Sequence, residues 1–236
     1  QGMGSNLITI SAGQVNSGGV NGGAGSSATL SMTDVAKIEQ SSALKAVAPL
    51  ASTSAQVVLG SGNTSASING TTPGYAIIKN VTIARGRFIT EDDVNTNAKV
   101  AVLGPNVVES LMGSADADII GKKIKIKNVP FQVIGVTTAT GSTGFQSSDD
   151  MIMAPISTVQ ARLIGRKDLR NIMVSAKSED LMQTAQDEIT ATLRKAHKIP
   201  EGKDNDFRVQ NQADMLETMQ SVTNLNDAIG RDCRYF

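Results

Sequence analysis

Apolar and polar positions alternate in short stretches along most of this chain, and between those stretches the apolar residues recur at helical spacing. Leu7, Ile8 and Ile10 open a strand that runs into a glycine-rich loop between Gly13 and Ser27. Ser31-Met32-Thr33-Asp34 has capping-box spacing and predicts a helix to about Ser42 with Val35 and Ile38 facing inward. Strands follow over 47–53, 55–59 and 65–70, separated by Ser, Gly and Asn turn chemistry.

From Pro73 to Lys167 the texture changes to short strands with brief helices. Thr90 with Asp93 has capping-box spacing, and Pro105 suits the first position of a helix that Gly113 closes. Ile124, Ile126, Phe131, Val133 and Val136 predict an antiparallel hairpin turning near Asn128, with Lys123, Lys125 and Lys127 on a wet face. Beyond Lys167 the first texture returns. A strand is expected over 171–176, then a helix capped by Ser178 that buries Leu181, Ala185, Ile189, Leu193 and Ala196 and ends before Pro200. Phe207 to Val209 predicts a last strand, and Asn211 a cap for a final helix burying Leu216, Met219 and Val222. These flanks, each in β-α-β order, imply an α+β protein: a split domain of 1–72 plus 168–228 with a smaller unit of 73–167 inserted. Residues 229–236 read as an appended tail.

Composition narrows the function classes. With 3% aromatic residues and no Trp, the core is aliphatic, which disfavours deep aromatic-lined ligand pockets. Twenty-two basic residues balance twenty-two acidic ones, so no global field draws the chain to nucleic acid. The single cysteine, Cys233, excludes an internal disulfide and a cysteine-cluster metal site. No apolar run is long enough to span a bilayer, and the start at Gln1 reads as a soluble piece cut from a longer protein.

No coherent catalytic set emerges. Glu91-Asp92-Asp93 and Asp149-Asp150 contain enough carboxylates for a hard cation, but the first reads as the acidic start of a helix, and adjacent carboxylates in extended chain diverge. His197, the only histidine, is expected at a helix end beside Lys195 and Lys198, where a cation complements the dipole. A phosphate loop ending in Lys-Ser/Thr and a Gly-x-Ser-x-Gly elbow are both missing, so no ATP binding and no enzyme activity are expected. No catalytic residue, metal ligand or cofactor is assigned.

Three segments carry a resemblance. Gly86-Arg87-Phe88-Ile89-Thr90-Glu91-Asp92-Asp93, Lys99 to Gly104, and Ile120 to Val136 stand in an order similar to that of the extracytoplasmic domain of a MacB-type ABC transporter permease. Gly4 to Ile10, Asp149 to Pro155 and Asp206 to Asn211 reinforce it, and the similarity runs to about Asn224. The resemblance implies a porter-like α/β subdomain built from both flanks and a smaller inserted α/β subdomain. It also implies a bacterial or archaeal membrane protein whose extracytoplasmic part transmits mechanical movement. The implied partners are a second permease protomer, a cytoplasmic ATPase domain and a periplasmic adaptor protein. Gly141, Ser142, Thr143, Gly144 and Phe145 are the candidate partner-contact loop on the insert. The alternative is a stand-alone secreted or periplasmic protein that captures a small ligand between two subdomains. A transporter domain should place residue 5 and a residue near 224 at one end of the molecule.

Overall fold

The computed structural model describes residues 6–13, 30–141 and 148–211. Strand β1 (Leu7–Ala12) lies between β10 (Phe207–Asn211) and β9 (Asn171–Ala176), antiparallel to both, and β9 pairs in turn with the first half of β2 (Leu44–Leu59). In chain order these strands combine with α1 (Met32–Ile38) and α6 (Met182–Ala196) as β1-α1-β2 and β9-α6-β10. Two split β-α-β units with the spatial order β10-β1-β9-β2 form a ferredoxin-like sheet. One face is covered: Val35 and Ile38 of α1 and Met182, Ala185, Ile189 and Leu193 of α6 share a core with Ile8, Ile10, Ile172, Val174 and Phe207.

The stripe on α6 is shifted from the expected one. Glu179–Leu181 forms a 3-10 turn and α6 begins at Met182, so Met182 is buried while Leu181 and Ala196 are half-buried. Lys198, at φ 54, turns the chain out of the helix before Pro200, and the Ile199 N–H closes on the Arg194 carbonyl at 2.9 Å.

Strand β2 is a second departure, because residues 44–59 are one unbroken strand and not two. Ser52, Thr53 and Ser54 pair with Asn69, Ile68 and Ser67 of β3 (Gly62–Thr71). Their small side chains fit a pleated ladder, and no turn interrupts it. β2 leaves β9 after Leu50 and pairs with β3 from Ala51, so a single strand serves two sheets.

The second sheet closes on itself. From β2 the pairing passes to β3, then to β8 (Met151–Pro155), β5 (Val100–Leu103), β7 (Val129–Thr137) and β6 (Lys123–Ile126), which returns to β2 through Val57–Ile126 and Val58–Lys125. Ala55, Val57, Ile68, Leu103, Ile124, Ile126, Phe131, Val133 and Ile152 alternate with exposed or outward positions and fill the ring. Helix α4 (Pro105–Met112) seals it with Val107, Val108 and Leu111, and Gly113, at φ 80, ends that helix as expected. The β6–β7 hairpin turns on Lys127 and Asn128, both at positive φ, which is the two-residue turn whose twist suits paired strands.

A third apolar cluster joins the two sheets. Ala48 and Leu50 of β2 and Met173 of β9 meet Val102 of β5 and Met153 of β8, beneath Tyr75 of α2 (Gly74–Lys79) and Ile89. On the rim, β4 (Ile83–Gly86) pairs with β7. The backbones come so close there that a Cβ on Gly86 would lie 2.2 Å from the Ile134 carbonyl oxygen, and one on Gly135 2.3 Å from that of Arg87.

Candidate functional site

The features that bear on function are the chain ends, the segment after β4, and the base of the loop at Gly141. Ile8 pairs with Asn211, so the start of the first strand and the end of the last lie side by side on one edge of the ferredoxin-like sheet. The Ala176 N–H reaches the Asn6 carbonyl at 3.0 Å, which places Asn6 at that same edge. Residue 5, residue 224 and the final helix expected after Asn211 lie outside the described residues.

Segment 85–95 is held by two arginines. Arg85 donates to the carbonyls of Ala115, Asp116 and Ala117 at 2.8, 2.9 and 3.0 Å, binding β4 to the loop after α4. Arg87 grips Asp93 with both ends of its guanidinium, at 2.6 and 3.1 Å. The same carboxylate accepts from the N–H and hydroxyl of Thr90, each at 2.9 Å, and so caps α3 (Glu91–Asn95) as its spacing predicts. The Arg87 fork is the main cause holding the Asp93 carboxyl down at about pKa 2; partial burial opposes it and Thr90 assists. Asp93 is therefore a committed structural anion. The six-residue step from Arg87 to Asp93 was the signal available in sequence, and it becomes a contact because the carboxylate that caps α3 also faces the Arg87 guanidinium.

Asp149 has a comparable task at the candidate contact loop. Its carboxylate, on a residue 4% exposed, accepts from the N–H and hydroxyl of Thr140 at 3.0 Å each and from the N–H of Gly141 at 3.1 Å. Asp150 diverges from it and accepts from the Asn106 amide at 2.9 Å. Gly141 takes φ 65 at the loop base, while Ser142, Thr143, Gly144 and Phe145 lie outside the described residues. His197 is where its spacing predicts, at the end of α6, but it is more than a cap: its ring stands between Asp206 and Asp34. Cys233 lies outside the described residues. Among the described residues no group of three or more His, Cys, Asp or Glu is placed to hold a metal ion, and no helix is long and apolar enough to cross a membrane.

Residues 1–192 match the MacB-like periplasmic core domain model. The chain belongs to the MacB-like periplasmic core domain family. Its place is therefore the extracytoplasmic side of a membrane protein. Among curated relatives, the macrolide export ATP-binding/permease protein MacB of Chlorobium phaeobacteroides is 33% identical over 222 residues, which is 94% of this chain and 33% of that protein. The corresponding protein of Bdellovibrio bacteriovorus is 33% identical over 94% of this chain and 34% of its own length. The chain thus spans about a third of the length of these relatives. Among solved structures, the periplasmic region of MacB from Actinobacillus actinomycetemcomitans superposes with TM-score 0.75 at 25% identity, covering 92% of this chain and 94% of that one. The extracellular domain of the ABC-type transporter YknZ from Gram-positive bacteria shares the fold at TM-score 0.70 and 20% identity, over 87% of this chain and all of that one.

In this MacB-like domain the polar groups described above are structural anchors. Arg85, Arg87, Asp93 and Asp149 each tie a loop to a strand or helix, and His197 joins three elements. A cleft of about 700 Å³ between α1 and α6, lined in part by Lys37, Ser41, Glu188, Thr192 and Lys195, lies within the ferredoxin-like unit. Between the two sheets stands the packed third cluster, where a ligand-capturing protein would have a cleft.

Proposed function

We propose that this chain is the non-catalytic extracytoplasmic domain of an ABC export permease. It converts movement of adjoining membrane helices, driven by ATP hydrolysed in a separate cytoplasmic domain, into movement outside the membrane. The observation that carries the reading is the pairing of Ile8 with Asn211, which brings both ends of the described chain to one edge. A domain inserted between two helices of one membrane needs this geometry. Two chain connections at one edge can tilt or lift the whole body, because the third cluster binds the inserted unit to the sheet they reach.

The proposed division keeps the flanks as a porter-like unit and the middle as an insert, and the first junction is proposed near Leu50 in place of residue 72, because β2 pairs with β9 only up to that residue. A second permease protomer and a periplasmic adaptor are the proposed partners, with Gly141 to Phe145 as a contact loop held at its base by Asp149. The curated relatives are macrolide exporters by name, so macrolides are the first compounds to test.

The test uses the full-length protein in an efflux-deficient bacterial host. A flexible Gly-Ser insertion of about ten residues directly before Asn6 decouples domain from membrane and keeps the Asn6 carbonyl on the Ala176 N–H. Loss of macrolide resistance with ATPase activity retained supports a mechanical connection. Resistance unchanged by the insertion overturns it.

A further inference from the structure

His197 ends α6 with a ring whose side chain is 12% exposed, and each edge of that ring meets a carboxylate from a different element. Nδ1 lies 2.9 Å from both oxygens of Asp206, just before β10, and Nε2 lies 3.4 Å from Oδ2 of Asp34 in α1. The edge of the ring packs against Phe207, centroids 5.9 Å apart at 88°. Around it, β1 contributes no charged side chain, and just beyond β1 the Gly13 N–H donates to the Asp206 carbonyl at 2.8 Å. On α6 itself, Arg194 is turned to the carbonyls of Pro200 and Lys203, while Lys195 and Lys198 are exposed. Asp34 and Asp206 therefore dominate the field at the ring.

We propose that His197 is a proton-operated clasp: protonated, it holds α1 and the β10 strand to the end of α6, and on losing its proton it keeps Asp206 and releases Asp34. A doubly protonated imidazole donates to both carboxylates. A neutral one has a single N–H and must turn a lone pair toward one of them. Asp206 is closer and accepts with two oxygens, so the remaining proton stays on Nδ1. The Nε2 lone pair then faces Asp34, which already accepts from the N–H and hydroxyl of Ser31 at 2.9 and 2.7 Å. Repulsion at that point loosens the start of α1 from α6, and leaves β10 in place.

The sign follows from the same contacts. Burial of the ring disfavours charge, but the two carboxylates outweigh it and raise the His197 pKa above its ordinary 6.5. The clasp's stabilisation is complete below that ordinary value and disappears as pH rises through the raised one. The inference does not depend on the export reading.

Since His197 is the only histidine, its ring gives a single NMR titration curve in the intact chain. Its midpoint is expected above 6.5, falling by about half a unit or more in Asp206→Asn and in Asp34→Asn. A wild-type midpoint at or below 6.5, or no fall in either variant, overturns the clasp. Hydrogen exchange gives the conformational readout: protection of the α1 amides, taken relative to β9 amides, should drop about threefold or more across the midpoint. That ratio should be independent of pH in His197→Gln, or in Asp34→Asn if the first variant does not fold. A ratio flat in the wild type, or one that changes equally in the variants, overturns the release of α1.

Discussion

The N–H of Arg170 donates to the carbonyl of Leu50 at 2.8 Å, closing the neck through which the chain leaves the ferredoxin-like sheet and returns to it. Residues 51 to 169 lie beyond that neck, including the second half of β2 and all of β3. β3 is flanked by β2 and β8 in the closed ring, and Val57 and Ile68 are fully buried in its interior. Expressed alone, residues 51–169 should therefore unfold cooperatively in urea, while 73–167, which lacks the hairpin, should not. Cooperative unfolding of the shorter fragment would contradict the ring as the folding unit.

The Arg87–Asp93 pair should be visible in acid. The folded Asp93 pKa of about 2 lies below the ordinary carboxylate value, so its contribution is present above pH 4 and is lost as pH falls toward 2. Asp93→Asn should destabilise the protein by about 1–2 kcal/mol at neutral pH, a figure reduced by the exposure of Arg87. The difference from wild type should shrink in denaturation curves between pH 4 and 2. An undiminished difference at pH 2 would show that the loss is not electrostatic.

Phe131 is fully buried inside the ring. Truncating it to Ala should cost about 3–5 kcal/mol, since the cavity is walled by strands tied on both sides and cannot collapse. Chemical denaturation measures this, and a loss under about 1 kcal/mol would mean that the ring interior is not close-packed.

Gly86 combines φ 79 with a Cβ position 2.2 Å from the Ile134 carbonyl oxygen. Gly86→Ala should cost more than about 2 kcal/mol, because left-handed strain adds to a clash with backbone that cannot rotate away. Thermal unfolding of the variant at unchanged Tm would refute the close approach of β4 to β7.

A stabilising change is expected at the hairpin. Asn128 sits at φ 66 in the two-residue turn, a conformation that glycine adopts more freely. Asn128→Gly should raise stability by a few tenths to about 1 kcal/mol. A lower Tm would place the turn in another class.

Local features were legible in the sequence because local chemistry decides them. Ser31 with Asp34, Thr90 with Asp93, Pro105 and Gly113, and the alternation through Lys123 to Ile126 all specify structure within a few residues, and the fold uses each as expected. The α+β class followed from the same periodicities, and the segments around Gly86 and Ile124 carried the family resemblance. Long-range pairing alone decided the rest. Whether Ser52-Thr53-Ser54 breaks a strand depends on the partner β3 offers it, and the closing of six strands into a ring depends on contacts such as Val57–Ile126. His197 shows the same limit at one side chain: its position at a helix end is written in the sequence, but Asp34 lies far upstream, and only the packing of α1 on α6 brings that carboxylate within 3.4 Å.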